Sequence, residues 1–438
     1  MRRALAWSAL LAFACLALAG CAPRRGSGAT TIRFWAMGRE GEVVRELADA
    51  FERENPGIKI EVQQIPWSAA HEKLLTAHVG RSSPDVSQLG NTWIAEFHAL
   101  NALEPLSARV ASSRELTRSA YFDGIWDTNV VDGETWGVPW YVDTRVLFYR
   151  KDILARAGYR TMPGDWPGWR AAMAAIVRTQ GPGHTAILLP VNEWTVPVVL
   201  GLQAGSPLLK DDGTRGAFHE PPFRRAFDFY VGLFRDGLAP ALANTEMANL
   251  YQEFARGSFA MYVTGPWNLG EFQTRMPDSL KDAWDTAPLP GPDGPATGYS
   301  TAGGSSLVLF RQSRHPAEAW RWIEFLSRPA SQARFFHISG DLPARREAWD
   351  DSTLSRNPRA LAFRTQFERV KPTPLVPEWE QIATRLQERA EAAIRGAESP
   401  DTALARLDRD VDKILEKRRW ILEHKRRAAV ATAQAGAR

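Results

Sequence analysis

Asp143 and Arg145 stand two residues apart within Trp136–Asp152 (WGVPWYVDTRVLFYRKD), directly before an apolar run, Val146–Tyr149. The run reads as a buried strand. On an extended backbone residues two apart share a face, so the carboxylate and the guanidinium would point the same way. Carrying such charges into a core strand is costly unless they pair or meet a ligand. Trp140 and Tyr141 add aromatic surface to the cluster. Two readings stay open for it: a recognition site, or a charged strand edge covered by solvent.

Other chemistries leave little trace. No glycine-lysine-serine/threonine sequence offers a phosphate-binding loop, and no G-x-G-x-x-G follows a strand. His71-Glu72 resembles the start of a zinc helix, but the next histidine is His78, which breaks the metalloprotease spacing. There is no G-x-S-x-G elbow. Neither a metal nor a cofactor is expected. Paired carboxylates acting on a glycosidic bond stay open, because any two can meet in space, with Asp143 and Glu40 as candidates.

The chain holds 17 tryptophans against 8 tyrosines. Many fall where elements end: Trp35, Trp67, Trp93, Trp140, Trp194 and Trp267. Clefts in α/β folds open at strand ends, so such tryptophans are placed to line one. A flat indole suits the C–H face of a sugar ring. The hydroxyls of a sugar then need acceptors and donors at the edges. Glu40, Asn91, Asp143, Arg145 and Asp341 stand at comparable junctions and can supply them. The stripe Phe223, Phe227, Tyr230, Phe234 has helical spacing and reads as core instead, as does Trp322 in the middle of a helix.

Strands and helices alternate, which defines an α/β chain. Thr31–Trp35 is a strand, Glu42–Glu54 an amphipathic helix stopped by Asn55-Pro56-Gly57, and Ile58–Ile65 an alternating strand. Later helices are expected at 69–79, 93–100, 152–157, from 165, 223–234, 316–326, 329–338, 379–395 and 402–422. Strands are expected near 86, 146–149, 186–190, 257–263 and 307–310. Lys413–Arg427 is basic and reads as a solvated helix face rather than a membrane contact. The Ala-rich stretch 426–438 is expected to be a disordered tail.

The length of 438 residues allows two lobes of ordinary size. The formal net charge of +4 is small, and no basic stripe argues for nucleic acid. Arg2-Arg3 followed by apolar Ala4–Leu18 is a secretory signal. Its end, Leu18-Ala19-Gly20-Cys21, resembles the lipobox of bacterial lipoproteins, which implies cleavage before Cys21 and lipid on that thiol. Residues 22–29 then form a tether. The only other cysteine, Cys15, leaves with the signal, so the mature body has no disulfide.

An ordered series of landmarks resembles the extracellular solute-binding proteins of bacterial ABC sugar importers, of the maltose/trehalose-binding type. It includes Asn55-Pro56-Gly57-Ile58-Lys59-Ile60, Pro84-Asp85-Val86, Leu103-Glu104-Pro105-Leu106, Gly137-Val138-Pro139 and Leu147–Asp152. It continues with Phe254–Met261, Gly265-Pro266-Trp267, Leu289–Pro292, Gly303-Gly304-Ser305 and Gly340–Pro343. The resemblance implies a type II two-lobe clamp. Lobe 1 would comprise 30–143 plus 287–315, and lobe 2 would comprise 144–286 plus 316–425. The chain would cross between lobes near 142–146, 287–300 and 311–316. By position, Trp35, Arg39, Glu40, Asn91, Thr92, Trp93, Trp140, Asp143, Arg145, Trp194, Trp267, Tyr299, Gly303, Gly304 and Asp341 would line the cleft.

The function so implied is capture of a di- or oligosaccharide and its delivery to a membrane permease driven by separate ATPase subunits. The chain itself would carry no catalysis. It is expected to be exported, held at the membrane through Cys21 and monomeric. A second reading keeps the fold and changes the ligand to a glycerol phosphate, polyol or other polar solute, with Arg39 and Arg145 as anion contacts. A third is a secreted glycoside hydrolase.

Overall fold

The computed structural model describes residues 28–436. The signal segment 1–21, Cys21 and residues 22–27 of the tether lie outside them.

Two sheets organise the chain. The first uses β1 (Thr30–Met37), β2 (Ile58–Ile65), β3 (Val86–Gly90) and β4 (Val138–Asp143). The second uses β5 (Val146–Arg150), β6 (Thr185–Leu188), β7 (Phe259–Thr264) and β8 (Trp284–Ala287). The chain then returns to the first with β9 (Gly303–Leu309) and β10 (Leu342–Pro343). The strand orders are β10-β4-β9-β3-β1-β2 and β8-β5-β7-β6. β1 is parallel to β2 and β3, whereas β9 runs antiparallel to both β3 and β4.

Local pattern explains the strands. β2 alternates buried Ile58, Ile60 and Val62 with exposed Lys59, Glu61 and Gln63, as an edge strand with one wet face should. β7 is buried at every position, in keeping with its apolar sequence and its place between β5 and β6. Both sheets are flanked by amphipathic helices such as Arg45–Glu54 and Pro221–Arg235.

The chain crosses from the first sheet to the second at Thr144-Arg145 and returns between Ala287 and Gly303. The third crossing differs from the expectation at 311–316. Pro316–Leu326 packs on the first sheet: Trp322, fully buried, lies edge-on to Phe34 and Phe51 at 5.7 and 5.2 Å. Phe335, from Pro329–Ser339, stacks on Trp140 at 4.4 Å. β10 then joins the first sheet through β4. Residues 316–343 thus belong with the first lobe, not the second. The chain reaches the second sheet again at Pro358–Phe367, where Phe363 meets Phe148 at 6.1 Å and Arg359 covers the Trp284 ring at 3.7 Å.

Several helices escaped the sequence reading, Leu250–Arg256 and Asn268–Arg275 among them. Thr195–Gln203 is buried at every residue and so has no polar face to reveal its period. Pro358–Phe367 is another. The helix expected at 402–422 is two, Pro400–Ile414 and Glu416–Gly436. The second runs on to Gly436, into the stretch expected to be a disordered tail, in keeping with the high helix propensity of its alanines. Among the described residues no helix is long and apolar enough to cross a membrane.

Candidate binding cleft

A cavity of about 470 Å³ opens where the strand ends of the first sheet face the second lobe. Clefts of this size hold small ligands. Its walls bring together Glu40, Asn91, Thr92, Trp93, Asp143, Arg145, Trp194, Trp267, Gly303, Gly304 and Asp341 from the sequence reading.

Each wall has a local cause. β4 alternates its side chains across the sheet, so Tyr141 and Asp143 face the cavity. Tyr141 donates to Glu40 Oε1 at 2.6 Å and accepts from Ser305 Oγ and Gln88 Nε2, both at 3.0 Å. Gln88 in turn accepts from the Met37 amide at 2.7 Å, which ties this network to β1. Asp143 accepts from Arg145 Nη1 at 3.3 Å. The Arg145 guanidinium lies over the Trp267 ring at 4.6 Å. Trp267 is 50% exposed and folds back across Gly265, where a Cβ would come within 2.0 Å of the ring. Gly303 is likewise obligatory, since a Cβ there would stand 2.2 Å from Asp143 Oδ1. Trp93 meets Trp67 edge-on at 5.9 Å. Thr92 donates to Glu380 Oε1 at 2.6 Å, a direct polar contact across the cleft to the helix Trp379–Ile394.

Four predicted residues lie elsewhere. Trp140 is fully buried on the opposite face of β4, between Phe34 and Phe335. The period of two that joins Tyr141 to Asp143 turns it away. Trp35 is buried in a small core with Met37, Ile65 and Leu89, and Lys73 Nζ sits 4.8 Å from its ring. Arg39 points outward, with Nη1 3.2 Å from Glu42. Tyr299 lies under Lys371 Nζ at 3.9 Å, outside the cavity. Trp67, one of the element-end tryptophans, and Tyr141, from the cluster around Asp143, also line the cavity, whereas Thr195, Thr373 and Glu380 line it without having been singled out in the sequence. Strand alternation puts Tyr141 on the same face as Asp143. Glu380 sits in an ordinary amphipathic helix and carries no such signal.

The cavity is acidic. Glu40, Asp143, Asp341 and Glu380 face it against one guanidinium, Arg145. Burial raises the Asp143 carboxyl, with Arg145 opposing. Burial, and then the charge of Glu40, push Asp341 up from 3.8 to about 7, against a hydrogen bond from Ser339. Such an acid holds its proton more tightly folded than unfolded. Its contribution therefore turns against folding as pH rises from the unfolded value through about 7. Asp341→Asn is expected to melt above the parent at about pH 8 and together with it near pH 4. Thermal melts at the two pH values check this; no gain at the higher pH would mean that Asp341 ionises without strain.

Two α/β lobes joined by crossing segments, with aromatic and acidic side chains around the gap, define a type II binding-protein clamp. A profile of the bacterial extracellular solute-binding protein family matches residues 37–333, and the chain belongs to that family. The chain is thus an exported protein. It is similar to the sugar-binding protein MalE of Xanthomonas citri, whose structure superposes with a TM-score of 0.88 at 50% identity, covering 90% of this chain and 99% of that one. It is 26% identical to the diacetylchitobiose binding protein DasA of Streptomyces coelicolor, over 82% of this chain and 83% of that protein. It is 27% identical to an uncharacterized lipoprotein of Streptomyces antibioticus, over 86% of each.

Proposed function

We propose that this chain captures a sugar, of di- or oligosaccharide size, between its lobes and delivers it to the membrane permease of an ABC importer powered by separate ATPase subunits. The observation that carries this reading is the cavity lining. Trp67, Trp93, Trp194 and Trp267 offer flat apolar faces, and four carboxylates offer acceptors for hydroxyl groups. The likeness to a sugar-binding protein at 50% identity over nearly its whole length supports it.

A ligand that touches both lobes favours the closed clamp through its differential contacts. The Thr92–Glu380 bond joins the two sides of the gap. A phosphorylated ligand suits the site poorly. It would face four carboxylates, and Arg39, one of the two cations expected to hold it, points away from the cavity. Catalysis is not part of the reading, although acidic side chains do meet in the cleft.

The proposal includes anchoring through a lipidated Cys21 at the membrane surface, and a monomer that docks on the permease. The lipobox spelling at 18–21 supports the anchor, as does the likeness to a lipoprotein.

The test is the melting temperature of residues 22–438 against a panel of sugars, polyols and glycerol phosphates. Ligand at a hundredfold excess over its dissociation constant adds about 2.7 kcal/mol of stability. One di- or oligosaccharide class is expected to give a clear upward shift. A shift with phosphorylated compounds alone would overturn the sugar assignment. Release of product from a bound sugar on prolonged incubation would overturn the non-catalytic reading.

A further inference from the structure

The helix Glu416–Gly436 and the end of the helix before it present a face that the binding function does not use. Lys413, Lys417, Trp420, His424 and Arg427 follow one another at spacings of three and four, which places them in one row. All five are exposed, and Trp420 is 60% exposed. Its indole meets the His424 ring, with centroids 3.9 Å apart. The inward side of the same helix is tied down: Arg419 donates to the carbonyls of Thr214 and Asp412 at 2.7 and 2.6 Å, and Arg426 pairs with Asp212. The helix is thus fixed with its row outward. Among the described residues Lys413, Lys417, Lys425 and Arg427 have no acidic partner. Glu416 and Glu423 are the acids of this stretch and lie along one edge of the row.

A solvated basic face explains the lysines but not a tryptophan at its centre, since tryptophan is on average a highly buried residue. A protein partner would need an apolar core to the interface, and one indole among cations does not supply it. Cations around a single interfacial tryptophan match a membrane surface, where indoles sit at headgroup level and Lys and Arg meet anionic headgroups. We propose that this row is a contact for an anionic phospholipid surface, which holds the exported chain against the membrane in addition to whatever anchor precedes residue 28. A polybasic patch is a common membrane signal beside lipidation. The sugar cleft plays no part in this contact.

The test uses the chain from Ala22 onward, without acylation, in co-sedimentation with vesicles. One set contains phosphatidylglycerol with phosphatidylethanolamine, and the other phosphatidylcholine alone. The chain is expected to sediment with the first set at low ionic strength, to leave it as salt is raised, and to ignore the second. Lys417→Glu with Arg427→Glu is expected to weaken the partition by about tenfold or more, and Trp420→Ala severalfold. Both variants should keep the parent's melting temperature and its shift with sugar, which separates this contact from folding and from the cleft. Binding that is equal on both vesicle sets, or unmoved by either variant, would overturn the proposal. So would equal binding to a duplex oligonucleotide or heparin, which would mark a general polyanion site.

Discussion

Asp143→Ala is expected to weaken sugar binding by roughly ten- to a hundredfold, the range set by losing a hydrogen bond to a charged group. Asp143 ends β4 at the rim of the cavity and holds Arg145 by its carboxylate. Arg145 in turn lies over Trp267, the most exposed aromatic of the cleft. The substitution removes an acceptor for sugar hydroxyls and frees the guanidinium that steadies the stacking platform. Calorimetric titration with the sugar selected by the melting panel measures the change, and circular dichroism confirms that the variant is folded. Full affinity in a folded variant would remove Asp143 from the binding site and weaken the cleft assignment with it.

Trp322→Ala is expected to cost about 3–5 kcal/mol of stability, as large-to-small changes at buried aromatics do. Trp322 is 0% exposed and packs on Phe34, Phe51 and Phe325, so its loss opens a cavity between the first sheet and its covering helix. Two lobes need not unfold together, and denaturation followed by probes in each lobe separates them. The loss should fall on the transition that reports β1 and β2. A loss confined to the second lobe would contradict the placement of 316–343 with the first. The distant phenylalanines make this a test of tertiary arrangement rather than of helix propensity.

These two variants mark the divide between local and non-local information. The α/β class and most elements were legible because side-chain periods of two and 3.6 are local properties. Ile58–Ile65 and Pro316–Leu326 occur with the bounds expected of them. The cleft was legible as a set of residue types at strand ends, and Glu40, Asn91, Trp93, Asp143, Trp267 and Asp341 do face one cavity.

Sequence by itself determined the repertoire: an exported α/β chain, rich in junction tryptophans and without a phosphate-binding loop or a zinc-helix spacing. Tertiary structure alone decided that Phe34 and Phe335 cover the far face of β4 and bury Trp140 between them. It also decided that Pro316–Leu326 covers the first sheet, and that Glu380 reaches Thr92, 288 residues away in the chain. The reason is physical. A helix or strand announces its own apolar face, but which partner buries that face depends on the shape and register of segments far off in sequence. A carboxylate on a polar helix face looks the same whether water or another lobe lies opposite.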